Sequence, residues 1–206
     1  MHLIALQDLP AQPWRNGGGQ TRELLAWPSA APWQWRISVA TIDRSGPFSA
    51  FPGVERWLAV LRGEGLVLRF AQRRAMLTVD SEPLRFEGSA QPGCELLDGS
   101  TEDLNMMVQS EHGSAAMFRV KHTGTGIGTA PAGGSSVWQS RAPLRAVFTS
   151  AACRLRRAGA ADLTLAADTL AWTDNAADID WSLHPALNAT TPLGAAWWLQ
   201  FKPRSS

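Results

Sequence analysis

Along much of this chain, apolar and polar residues alternate for a few positions and then give way to turn-forming residues, the pattern of half-buried β-strands. The clearest run is Trp35–Ile42, W-R-I-S-V-A-T-I. It puts Trp35, Ile37, Val39 and Thr41 on one face and Arg36, Ser38 and Ala40 on the other. Residues 57–61 and 66–70 flank Gly63-Glu64-Gly65 and predict a hairpin with glycine in its turn. Further strands are expected at 74–79, 94–97, 104–109, 116–121, 144–149, 153–157 and 196–201. No segment keeps an i, i+3, i+4, i+7 apolar pattern for three turns with caps at both ends, so little helix is expected. Many short strands parted by Gly, Pro and Asp turns predict an all-β sandwich or barrel.

The stretch from Thr123 to Ser136, T-G-T-G-I-G-T-A-P-A-G-G-S-S, is the most linker-like part of the sequence, either a loop or a connection between halves. Its two sides echo each other. Leu77-Thr78-Val79-Asp80, followed by Leu84 and Phe86, resembles Leu165-Ala166-Ala167-Asp168, followed by Leu170 and Trp172. The echo suggests a duplicated barrel.

Composition narrows the function classes. At 206 residues the chain can hold one large domain or two small ones, burying roughly 70% of its unfolded surface without disulfides. Its 19 basic and 18 acidic residues are spread along the length, so no nucleic-acid footprint is visible. There are 10 Trp and no Tyr, and the basic residues are Arg apart from Lys121 and Lys202. GC-rich codon usage accounts for such a bias, yet Trp and Arg also build anion pockets, by stacking and by forked hydrogen bonding. Cys94 and Cys153 lie far from each other and from His, and read as small buried apolar residues. With no signal-like N-terminus and no run of about 18 apolar residues, the chain is expected to be soluble and cytoplasmic, with no membrane partner.

Three blocks carry a family resemblance: Pro13-Trp14-Arg15-Asn16-Gly17-Gly18-Gly19-Gln20-Thr21-Arg22-Glu23, the run from Trp35 to Leu68, and Leu96-Leu97-Asp98-Gly99-Ser100-Thr101-Glu102-Asp103-Leu104-Asn105-Met106-Met107. In this order they resemble the HutD/Ves family, densely as far as Met107 and loosely beyond. The resemblance implies an RmlC-like cupin jelly-roll barrel in a bicupin arrangement, a link to histidine utilisation, and a regulatory or ligand-sensing role without established enzymatic activity. The expected division is then an N-terminal cupin barrel at 1–122, the connection at 123–136, and a degenerate cupin-like half at 137–206 packed on the first.

Metal-dependent cupins carry two His and a Glu ahead of a V-L-x-G-E hairpin. Val60-Leu61-Arg62-Gly63-Glu64 resembles that hairpin, and counting back from Gly63 puts Arg56 at the Glu position and Ser49 and Phe51 at the His positions. None of the three offers imidazole or carboxylate, so no metal and no cofactor are expected. His2, His112, His122 and His184 fall outside this frame; His112 and His122 flank an expected strand and read as scattered surface histidines. An Arg at such a station turns a cation site into an anion site. If the Arg36 face lines the barrel, Arg36 and Ser38 point inward together. A buried unpaired Arg is costly by several kcal/mol, so Arg36 and Arg56 need either a bound anion or an internal carboxylate such as Glu55, Glu64, Asp98 or Asp103.

The loop from Trp14 to Gly19 is the second candidate. Consecutive glycines allow successive N–H groups to cradle an anion, or serve a tight crossover between strands. No strand is predicted ahead of it, and no Gly-Lys-Ser/Thr follows. Trp14, Arg15, Asn16 and Gly18 are the candidate binding residues there. Asn105 can orient a ligand through its amide, with Asp103 sharing its face, and Glu23 can pair with an Arg. Phe51 offers either a pocket wall or partial core. The leading expectation is therefore a metal-independent cupin that binds a small organic anion: urocanate, formate or a formylated glutamate in the family context. The alternatives are a metal-independent isomerase or hydrolase using Glu64 or Asp103 as base, and a structural or interaction protein with a vestigial pocket. No catalytic residue is assigned. Exposed barrel edges favour a homodimer.

Overall fold

The computed structural model describes residues 1–121, 136–177, 180–186 and 194–204; His122 and the expected connection at 123–135 lie outside them. Apart from two short 3-10 turns, at Leu6–Asp8 and Gly88–Ala90, the regular structure of the described residues is all strand. β1 is His2–Ala5, β2 Gln12–Pro13, β3 Gly19–Trp27, β4 Trp35–Ile42 and β5 Gly46–Pro47. β6 is Val54–Arg62, β7 Leu66–Arg69, β8 Arg74–Leu77, β9 Leu84–Glu87, β10 Gly93–Leu96 and β11 Thr101–Gln109. β12 is Gly113–Arg119, β13 Ser136–Gln139, β14 Leu144–Thr149 and β15 Cys153–Arg157. β16 is Leu163–Leu165, β17 Thr169–Thr173, β18 Asp180–Pro185 and β19 Ala196–Pro203. Among the described residues no helix is long and apolar enough to cross a membrane.

The strands form two compact units. The first spans Asp8–Ala115 and takes up the chain again from Pro203; the second joins Met1–Gln7 to the described part of 116–202. The expected N-terminal barrel began at residue 1, whereas β1 hydrogen-bonds β17, pairing His2 with Trp172 and Ala5 with Thr169. The first unit stacks a sheet of order β2-β3-β4-β11-β6-β9 on one of order β5-β10-β7-β8. The second stacks β1-β17-β14-β19-β12 on β13-β18-β15-β16. Raising each number by eight converts β4-β11-β6-β9 and β5-β10-β7-β8 into β12-β19-β14-β17 and β13-β18-β15-β16. The two echoing sequence segments occupy equivalent places in this order, at the β8–β9 and β16–β17 connections.

Each core follows from alternation. In the first unit Ile42, Leu58, Val60, Leu66, Leu68 and Phe86 meet between the sheets, with Leu58, Leu66 and Leu68 fully buried. Burying each such leucine contributes about 1.5–3 kcal/mol. In the second unit Val147, Leu155, Leu183, Trp181 and Trp198 do the same. The β6–β7 hairpin turns on Gly65 at φ +106, where a Cβ would sit 2.1 Å from the Leu77 carbonyl oxygen. Only glycine fits there.

Candidate functional site

Adjacent strands set the site in rows. Across β4, β11 and β6, the register aligns Arg36–Met107–Arg56, then Ser38–Asn105–Leu58, then Ala40–Asp103–Val60. Period-two alternation turns these rows to the interior, while Leu104 and Met106 fill the opposite face of β11 with no exposed surface. The inward face opens on a cavity of about 440 Å³.

Arg56 stands at its floor, 6% exposed. Its guanidinium lies 4.9 Å from the Phe48 ring centre, 5.2 Å from Phe86 and 5.6 Å from Phe51, a cation held by three aromatic rings. Nη2 donates to Asn105 Oδ1 at 2.9 Å, and the Asn105 amide donates in turn to Asp103 Oδ1. Asn105 thus bridges a buried cation and a buried carboxyl. Arg56 Nε and Asp103 Oδ2 are left without hydrogen-bond partners. Burial draws Arg56 down to about 10, opposed by Asp103 and reinforced by Arg36, so it stays cationic at neutral pH. Burial pushes Asp103 up to about 7, opposed by Arg56 and reinforced by Glu102. The Cys94 thiol is pushed up to about 12 by burial and Asp103, and remains protonated.

Arg36 is used differently. Its Nε donates to Glu23 at 2.6 Å and its Nη1 lies 3.8 Å from Met107 Sδ. Glu55 does not serve either inward Arg; it accepts from Arg85 and from Trp57 Nε1, the latter at 2.9 Å.

At the mouth, β2 and β3 form a hairpin around the glycine loop, so a short strand does precede it. The N–H groups of Gly17 and Gly18 are donated to Trp14 O and Asn16 Oδ1, at 3.0 Å each. The Gly18 carbonyl accepts from the N–H groups of Asp43 and Arg44. An anion cradle needs unspent N–H groups, and these are committed to the loop itself. Here Gly19 serves close packing, since a Cβ on it would lie 2.3 Å from Thr41 O, and Gly17 supplies a turn at φ +67.

Trp14, Arg15, Asn16, Arg36, Ser38, Ser49, Phe51, Arg56 and Asn105 all border the large cavity. Gly18 does not; it borders a neighbouring space of about 200 Å³ that also reaches Cys94. Asp103, expected to share the face of Asn105, borders the large cavity as well, and so does Thr21 beside the glycine loop. Met107 and Phe48 border it without having been singled out as binding residues. Among the described residues, no three His, Cys, Asp or Glu side chains gather as a metal site. His112 is a surface residue beside Glu111, and His184 bonds Ser182 in the second unit.

Stacked antiparallel sheets around an inward-facing cavity give this chain a cupin-type fold. The same fold recurs in the oxalate decarboxylase of Lactobacillus farciminis, solved as a formate complex, with a TM-score of 0.62 and 9% identity over 99% of this chain and 87% of that one. The chain belongs to the HutD family, whose model matches residues 6–190. The solved HutD of Pseudomonas fluorescens SBW25 superposes with a TM-score of 0.79 and 25% identity over 99% of both chains. A 21.2 kDa Pseudomonas putida protein from the hutC 3' region is 35% identical over 109 residues, and Protein Ves of Citrobacter koseri is 32% identical over 131. These matches span 52% and 63% of this chain, and 57% and 69% of the relatives' own lengths.

Proposed function

We propose that the large cavity binds a small organic carboxylate without a metal, and that the protein serves histidine utilisation as a ligand sensor or regulator. Urocanate, formate and a formylated glutamate are the candidate ligands. One observation carries the reading: Arg56, buried, bordering the cavity and fixed by Asn105 and three phenyl rings, has no salt-bridge partner among the described residues. A fixed, desolvated guanidinium is a preorganised carboxylate receptor, and charge-assisted hydrogen bonds to it are about twice as strong as neutral ones. The aromatic walls suit a flat or short ligand. Membership of the HutD family and likeness to a protein of the hutC 3' region support the link to histidine utilisation.

The test is thermal shift and calorimetry with the three candidates on wild-type protein and Arg56→Gln. At least one ligand should raise the melting temperature of wild type and leave the variant unmoved. A flat response of wild type to the whole panel would refute the reading. A metal-independent isomerase or hydrolase is the second reading, favoured by Asp103, whose carboxyl sits near neutrality as a general acid–base needs. It is the one carboxyl bordering the cavity among the described residues. Turnover of any candidate by pure protein would promote this alternative.

A further inference from the structure

Two residues that border the cavity, Arg56 and Asp103, are joined through Asn105 and each keeps one buried polar atom without a hydrogen-bond partner. Asn105 takes Asp103 Oδ1 and Arg56 Nη2, leaving Asp103 Oδ2 and Arg56 Nε for something else. A ligand carboxylate can occupy Arg56, but it then brings a second negative charge against Asp103, which is fully buried. Two carboxylates in one desolvated site do not both stay ionised; they share a proton. We propose that the site takes up its carboxylate together with a proton, Asp103 in its acid form donating Oδ2–H to one ligand oxygen while Arg56 donates Nε–H to the same group. This rests on the carboxylate reading above and gives it a condition: the receptor is complete only when Asp103 carries its proton.

The charged and titratable neighbours on every packed strand leave Asp103 to act alone near neutrality. Arg56 on β6, at about 10, stays cationic. Arg36 on β4 is paired with Glu23 on β3. Cys94 on β10 stays a thiol. Glu102, next along β11, accepts from Arg62 at 2.8 Å on the other side of the strand. Opposite Asp103 in the ladder stand only Ala40 and Val60.

Isothermal titration of the full chain with formate, urocanate and N-formyl-L-glutamate tests this, run from about pH 6 to about 8.5 in buffers of different ionisation enthalpy. With Asp103 titrating at about 7, carboxylate affinity should fall about 30-fold across that range, with close to one proton absorbed per ligand at the alkaline end. Asp103→Asn, whose amide donates at every pH, should give a flat profile and bind more tightly than wild type at the alkaline end. Wild-type binding that is independent of pH and absorbs no proton would overturn the proposal while leaving the carboxylate reading intact. Absence of binding for all three ligands at every pH would overturn both.

Discussion

The two units share a strand order and each buries an arginine on the inward face of a central strand, yet the two arginines meet opposite fates. In the second unit Arg145, wholly buried, shares its face of β14 with Val147 and Thr149 and donates to the carbonyl oxygens of Ser140, at 2.7 Å, and Asn175. The interior beside it is filled with indole: Trp138 stacks on Trp198 at 4.9 Å, and Trp181 meets Trp198 edge-on. In the first unit the corresponding space is open, and Arg56 borders it with three phenyl rings around it and a single bond to Asn105. One topology therefore carries a buried cation bonded to backbone carbonyls in one unit and to one side-chain amide beside an open cavity in the other. Fold alone does not distinguish them; the surrounding acceptors do.

The sharpest way to break the comparison is Arg145→Ala. It opens a void and strands the carbonyl of buried Ser140, and should cost about 3–5 kcal/mol in urea unfolding without touching carboxylate affinity. Asp103→Asn comes next. Since Asp103 rises from its ordinary 3.8 to about 7 on folding, the unfolded chain loses its proton first as pH climbs. Stability should decline through that window by up to about 4 kcal/mol and level off above it, and the variant's unfolding free energy should lack this decline. Arg56→Met preserves the apolar stem and removes the cation. It should shift stability by no more than about 2 kcal/mol in either direction, and weaken carboxylate binding by about 10- to 100-fold in calorimetry. The smallest effect belongs to Arg15→Ala at the exposed mouth: a drop of about 2- to 5-fold in association rate by stopped flow, erased by salt. A comparable loss of stability in Arg56→Met and Arg145→Ala would abolish the distinction between the units.

How much of this was legible varies with how cleanly each strand alternates. β4 was read to the residue because nothing interrupts W-R-I-S-V-A-T-I, and with it came the inward pair Arg36 and Ser38. β3 was hidden by a bulge between Glu23 and Leu25, which leaves Leu24 and Leu25 buried in succession and destroys the period of two. Arg56 was located by counting from the hairpin, but its ring cage draws Phe86 from β9, a pairing that sequence spacing does not encode. Arg145 was not singled out within the expected strand at 144–149, because backbone carbonyls brought in from Ser140 and Asn175 leave no trace in side-chain pattern.

The cross-tied glycine loop bears on how any guest arrives. With Trp14 N–H held by Gly19 O and Gly18 O gripping two successive amides of the neighbouring strand end, the portal is a fixed aperture. A guest passing it would meet walls already in position, and the ordering cost of association would then fall on the guest.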